Sequence, residues 1–244
     1  MRRHSLLFFP LSLAVFLAGC SGPSPTGPSP LPSVPTLRYS QFLAFGDSLT
    51  LGIVPLSSTT LHHQMEHAYP FRLEGLLAAR YRTQAFEMVN LGRGGEWAQD
   101  GALRLPGALE AERPQVLLLM EGTNDLNALG DAGIRPTVNA LESMIRMATA
   151  AGVRTLIATI PPERPSPSSA SLVSTVPRFN DALRTMAAAQ GVPVVEVYEA
   201  ISADLSFLGA DGIHLTPAGY QRVAETFFES IRRNFETPTG LAVQ

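Results

Sequence analysis

Gln41-Phe42-Leu43-Ala44-Phe45-Gly46-Asp47-Ser48-Leu49 is a mostly apolar run of strand length that stops at a polar turn opening on glycine. A strand with no polar alternation is covered on both faces, the usual condition of a strand in a parallel sheet. The pattern returns at 86–90, 115–120, 155–160 and 193–197, each run ending in polar or glycine-rich sequence. Between these runs apolar residues recur at helical spacing: Phe71, Leu73, Leu76, Leu77 and Tyr81, then Leu141, Met144, Ile145 and Ala148, then Phe179, Leu183 and Met186. Parallel strands need crossovers, and right-handed crossovers lay helices over the sheet. The sequence therefore predicts an α/β fold, a three-layer α/β/α sandwich built on a five-stranded parallel sheet.

A final helix is marked by its own start signal. Thr216 can cap a free backbone N–H, Pro217 suits the first helical position, and Tyr220, Val223, Phe227, Phe228 and Ile231 supply an apolar face. Prolines at 161, 162, 165 and 167 predict a long irregular loop after the fourth strand, on a rim where binding loops usually lie. The chain after Phe235 is expected to fray.

The N-terminal region reads differently. Met1-Arg2-Arg3-His4 is basic, and the apolar run from Leu6 to Leu17 is too short to span a bilayer, as in a secretory signal. Leu17-Ala18-Gly19-Cys20 follows directly and resembles a bacterial lipobox. That resemblance implies acylation of the thiol and cleavage that leaves Cys20 as the new N-terminus, anchored to the cell envelope as a membrane-bound lipoprotein. Ser21 fits an outer-membrane destination, and an ordinary signal peptide with an incidental cysteine is the alternative. Six prolines between residues 20 and 36 describe an extended tether of about 50 Å at about 3 Å per residue. The expected organisation is a signal peptide at 1–19, a linker at 20–37, one domain at 38–236 and a short tail at 237–244.

Composition removes several chemistries. Cys20 is the sole cysteine, so a lipidated chain has no disulfide, no thiol nucleophile and no cysteine metal site. All eighteen basic residues are arginine, which excludes a lysine base or Schiff base. The net charge of −3 becomes −5 once Arg2 and Arg3 leave with the signal, and no basic block exists to hold nucleic acid.

In open α/β sheets ligands bind beyond the carboxyl ends of the strands. There the sequence places Gly46-Asp47-Ser48-Leu49 after the first strand, Asn90-Leu91-Gly92-Arg93-Gly94-Gly95 after the second and Glu121-Gly122-Thr123-Asn124-Asp125 after the third. Asp211-Gly212-Ile213-His214 follows the fifth. A serine hydroxyl becomes an effective nucleophile when a base takes its proton, and His214 is the one histidine of the domain outside the cluster at 62, 63 and 67. Asp211, three residues earlier, can hold one ring nitrogen and stabilise the imidazolium.

In this order, the four blocks resemble the SGNH, or GDSL, hydrolase superfamily, in particular its bacterial esterase, thioesterase and lysophospholipase branch. The resemblance runs from Phe45 to the final helix and implies a flavodoxin-like SGNH hydrolase fold. It implies Ser48 as nucleophile, with Asp211 and His214 as acid and base. The backbone N–H groups of Ser48 and Gly95 and the amide of Asn124 would be the oxyanion-hole donors. It requires no metal and no organic cofactor.

The implied substrates are small acyl esters, lipids or acetylated glycans. Two other readings use the same residues or fold: acyl transfer to an alcohol, and a lipoprotein that binds glycan or lipid without hydrolysis. A monomer is the default expectation. The chain departs from the family pattern at Gly94, where many relatives have serine, and in the Arg93 before it. Ser48 does not lie in Gly-x-Ser-x-Gly, which argues against an α/β-hydrolase elbow.

Several neighbours have structural readings. Asp47 and Asp125 are expected to shape turns, and Gly92 and Gly94 to serve the backbone. His62, His63 and His67 invite a metal site, since 63 and 67 would share a face if helical, but the stretch lacks helical periodicity and reads as a solvated or substrate-facing loop; 51–67 is a candidate pocket wall or lid. Trp97 is divided between core and acyl-pocket wall.

Overall fold

The computed structural model describes residues 34–164 and 172–237. The expected signal, Cys20, the linker up to residue 33, the prolines at 165 and 167 and the tail from 238 lie outside the described residues.

Strands β1 (Gln41–Gly46), β2 (Glu87–Gly92), β3 (Val116–Met120), β4 (Arg154–Ala158) and β5 (Val194–Val195) form one parallel sheet in the order β2-β1-β3-β4-β5. Phe42 of β1 stands opposite Met88 of β2 and Val116 of β3. The helices are α1 (Ser48–Leu51), α2 (Tyr69–Arg80), α3 (Ala98–Glu112), α4 (Thr123–Leu129), α5 (Ile134–Ala150), α6 (Leu172–Gln190), α7 (Val197–Ser202) and α8 (Pro217–Phe235).

Alternation along β1 divides the interior in two. Phe42 and Ala44 point into a cluster completed by Tyr69, Leu73 and Leu77 of α2 and Tyr220, Val223 and Phe227 of α8. Leu43 and Phe45 point the other way, against Leu105 of α3, Leu141 and Met144 of α5 and Phe179 and Leu183 of α6. Each such side chain contributes about 1.5–3 kcal/mol on leaving water, so both faces of the sheet must be covered. The architecture is the expected α/β/α sandwich. Strand order reverses between β1 and β3, which opens a crevice at their carboxyl ends.

The structure departs from the sequence reading at its margins. The run at 193–197 makes a strand of two residues; Val197 and Ile201, both fully buried, instead form the inner face of α7. Short apolar runs do not separate a buried strand from a buried helix start. β4 ends at Ala158, and the side-chain amide of Asn180 on α6 takes over the peptide of Ile160 at 3.0 Å in both directions. Phe71 is not on the core face of α2 and is 53% exposed.

Beyond Phe235 the chain continues as Glu236–Thr237, paired antiparallel with Thr36–Leu37. Glu236 anchors it, accepting from Arg80 Nε at 2.8 Å, Arg80 Nη2 at 2.9 Å and Tyr81 Oη at 2.5 Å. The Arg80 hydrogen bonds, above all, hold its carboxyl down at about 2. The 51–67 stretch folds as a hairpin, Ile53–Pro55 with Leu61–His63, followed by a 3-10 turn at Met65–His67.

Candidate active site

Ser48 is the first residue of α1, directly after β1. The buried Asp47 caps this single turn, its Oδ1 accepting from Leu49 N at 2.9 Å. Burial pushes the Asp47 carboxyl up to about 6, against the pull of that hydrogen bond. β2 supports the turn from the side: Asn90 Nδ2 donates to Thr50 O at 3.0 Å. Gly92 is where the two elements approach most closely, since a Cβ there would lie 2.1 Å from Leu51 N.

His214 and Asp211 come from the loop between α7 and α8. It is closed by a bridge between Leu208 and Leu215 and by Gly209 N donating to His214 O at 2.8 Å. Asp211 Oδ1 accepts from Ile213 N and His214 N, each at 3.1 Å, which leaves Oδ2 for the ring. His214 Nδ1 lies 2.6 Å from that oxygen, and Nε2 lies 2.8 Å from Ser48 Oγ. Burial opposes the charge on Asp211, but the hydrogen bonds from the His214 ring and from Ile213 N outweigh it and hold the carboxyl below its ordinary value. The loop after β4 packs on this segment: Arg164 N donates to Gly212 O at 2.9 Å, and its guanidinium to Leu205 O at 2.7 Å and Leu208 O at 3.1 Å.

Gly95 lies in the turn after β2 and Asn124 in the first turn of α4 after β3, the strands on either side of β1. Gly95 has φ +76°, a conformation that favours glycine and aims its peptide as a side-chain-bearing residue rarely would. Asn124 Nδ2 donates to Glu96 O at 2.9 Å, and its second N–H is still available. Asp125 is buried, with Oδ2 accepting from Ala98 N at 3.0 Å, so it ties the start of α3 to α4. Trp97, 37% exposed, precedes α3 outside the core.

The histidine cluster does not converge. His62 and His63 are successive hairpin residues, and His67 Nδ1 accepts from Arg72 Nη2 at 2.7 Å. Among the described residues, no three His, Cys, Asp or Glu side chains are grouped to hold a metal ion.

Four acidic and basic side chains near the rim escaped the sequence reading. Glu96 and Arg104 form a two-point ion pair, with Arg104 Nε 2.8 Å from Glu96 Oε1 and Arg104 Nη2 bound to Oε2. Glu121 is 1% exposed and has no side-chain hydrogen-bond partner among the described residues. Burial, then the charges of Asp47, Glu96 and Asp125, push its carboxyl up to about 9, so it is neutral at pH 7. Glu163, also buried, is pushed up to about 8 by burial and then by Asp211. Glu121 stood in a quoted motif; Glu96 and Glu163 offered only a charge directly after a glycine or proline pair, and Arg104, inside α3, offered no signal.

At the carboxyl edge of the parallel sheet a serine, a histidine and an aspartate stand in hydrogen-bonded sequence, the arrangement in which an imidazole can take a serine proton. The chain belongs to the GDSL-like lipase/acylhydrolase family, whose model matches residues 44–222. No curated protein matches it. Among solved structures it is similar to a lipase/acylhydrolase from Enterococcus faecalis, with 20% identity over 83% of this chain and 100% of that one and a TM-score of 0.68. It is also similar to the aryl esterase of M. smegmatis, at 21% identity, 80% and 99% coverage and a TM-score of 0.69. A third is an acetylxylan esterase from Geobacillus stearothermophilus, at 20%, 79% and 94%, and 0.65. These likenesses establish the SGNH hydrolase fold, and the family makes the chain an ester hydrolase.

Proposed function

We propose that this chain cleaves carboxylic esters or thioesters through an acyl-serine intermediate, tethered to the cell envelope by lipid on Cys20. The observation that carries the reading is the continuous relay Asp211 Oδ2, His214 Nδ1, His214 Nε2, Ser48 Oγ, at 2.6 and 2.8 Å. With Nδ1–H donated to Asp211, Nε2 presents its lone pair to the serine proton. Ser48 Oγ attacks the carbonyl carbon while its proton passes to Nε2. The alcohol leaves with that proton as the acyl C–O bond breaks. Water then gives a proton to Nε2 and attacks the acyl carbon; the bond from that carbon to Ser48 Oγ breaks, Nε2 returns the proton to Oγ, and the acid leaves. Negative charge on the tetrahedral oxygen would be met by the N–H groups of Ser48 and Gly95 and by the Asn124 amide. Where such a donor has been removed, the cost is about 3–4 kcal/mol of transition-state stabilisation.

The substrate is a small acyl ester, a lipid or an acetylated glycan, and the protein acts as a monomer without metal or cofactor. The name of one similar structure, an acetylxylan esterase, supports an acetylated glycan among these. Purified protein should hydrolyse p-nitrophenyl acetate and bind a fluorophosphonate covalently, and Ser48→Ala should lose both while melting at the same temperature. Labelling that persists in Ser48→Ala would reject the nucleophile. Product analysis with a competing alcohol separates hydrolysis from acyl transfer, and fatty-acid labelling lost in Cys20→Ala tests the anchor.

A further inference from the structure

The Glu96–Arg104 pair is buried where the hydrolytic relay makes no use of it. The Glu96 side chain is 1% exposed and that of Arg104 18%. Taking both charges out of water is costly, and an apolar pair of the same volume would often stabilise a fold as well or better. Geometry offers a better reason for the pair. Arg104 is fixed from below, its guanidinium carbon 3.9 Å from the centre of the Phe45 ring, and Phe45 is the fully buried β1 residue three positions before Ser48. Through two hydrogen bonds the same guanidinium holds the Glu96 carboxylate. Glu96 in turn closes the turn that contains Gly95, with Glu96 N donating to Arg93 O at 3.2 Å, and its carbonyl accepts the Asn124 amide at 2.9 Å. Arg93 reaches the same carboxylate only at 3.6 Å and from an exposed position.

We infer that Glu96 and Arg104 are positioning residues for the oxyanion hole, referencing the Gly95 peptide and the Asn124 amide to the strand that carries Ser48. The inference rests on the serine-hydrolase reading. A bidentate guanidinium–carboxylate pair is suited to the task because it fixes orientation as well as distance, which a single hydrogen bond does not. Preorganised donors act on the oxyanion only if they are already aimed when charge develops, so a small loosening falls on kcat more than on substrate binding.

The test uses p-nitrophenyl acetate turnover and the affinity of an alkyl boronic acid, which bonds to the serine oxygen and places a tetrahedral oxygen in the hole. Arg104→Met, which keeps apolar contact with Phe45, should lower kcat about 10- to 100-fold with KM within about twofold. Boronic acid affinity should fall by a similar factor. Arg104→Lys should recover part of the loss, and Glu96→Gln should fall between the two. In an Asn124→Ala background the Arg104→Met effect should shrink without vanishing, because the part exerted through the Asn124 amide is gone and the part exerted through the Gly95 peptide remains. A purely structural pair would lower the melting temperature but leave kcat and boronic acid affinity unchanged well below it, or would add in full to Asn124→Ala; either result overturns the inference. If Arg104→Met does not fold, Arg104→Lys and Glu96→Gln carry the same comparisons. An inactive wild type that does not bind the boronic acid would overturn the hydrolase reading first.

Discussion

His214 Nε2 stands 2.8 Å from Ser48 Oγ although 166 positions separate the two residues in the chain. The contact exists because β1 ends inside the sheet, between β2 and β3, and the loop before α8 returns to the same carboxyl edge. Asp211 decides which way the relay runs. Its Oδ1 holds two backbone N–H groups and its Oδ2 the ring.

Asp211→Asn should keep the loop and lose the chemistry. The amide oxygen can still accept from Ile213 N and His214 N, but the NH2 group would face Nδ1. The ring would then carry its proton on Nε2, towards Ser48, and could not take another. The expected fall in kcat is about 10⁴-fold with an unchanged melting temperature. A loss under tenfold would show that the ring does not depend on Asp211 for its tautomer.

Glu121 gives a pH-dependent prediction for stability. Its folded value of about 9 is far above the ordinary 4.5, so between these limits the unfolded chain has lost a proton that the folded chain keeps. Stability from this group is therefore full below about 4.5 and declines as pH rises toward 9. Glu121→Gln does not titrate and stays neutral beside the charges of Asp47, Glu96 and Asp125. Thermal melts should show the variant near wild type at pH 5 and increasingly more stable by pH 9. A gap that stays constant with pH would mean the carboxyl is already ionised in the fold.

Gly92 and Gly94 look alike in sequence, yet the structure separates them. A Cβ at Gly92 would meet Leu51 N at 2.1 Å, whereas one at Gly94 finds its nearest atom, Leu51 Cδ2, at 3.9 Å. Gly92→Ala must push α1 away from β2, with a cost above about 3 kcal/mol and a loss of Ser48 reactivity toward fluorophosphonate. Gly94→Ala should melt within about 1 °C of wild type. Equal effects would contradict the packing of β2 on the nucleophile turn.

Local signals carried far in this chain. Thr216 caps α8 as its sequence implies, its hydroxyl accepting from Gly219 N at 3.2 Å, and the sheet follows from strand runs that need no long-range information. The polar blocks at strand ends were legible because each lies within a few residues of its strand. Glu96 and Arg104 were not: their meeting depends on how α3 packs against β1, and nothing in the spacing of a glutamate and an arginine eight positions apart marks a buried pair. The run at 193–197 misled for a related reason, since Val195 and Val197 are equally buried although one is in a strand and the other in a helix.

The phase of α2 was the other point the sequence left ambiguous, and it yields a paired test. Helical spacing admits both Phe71 and Leu73, but the helix starts at Tyr69, whose ring is fully buried and stacks on Phe227 of α8 at 4.8 Å and 4°. Phe71 is two positions further round, on the solvent side. Tyr69→Ala opens a cavity between α2 and α8 and should cost about 3–5 kcal/mol, lowering the melting temperature by about 10 °C or more. Phe71→Ala removes a ring of similar size from an exposed site, and the expected change is within about 0.5 kcal/mol. Similar losses for both would place Phe71 in contact with another surface and shift the apolar face of α2 by half a turn.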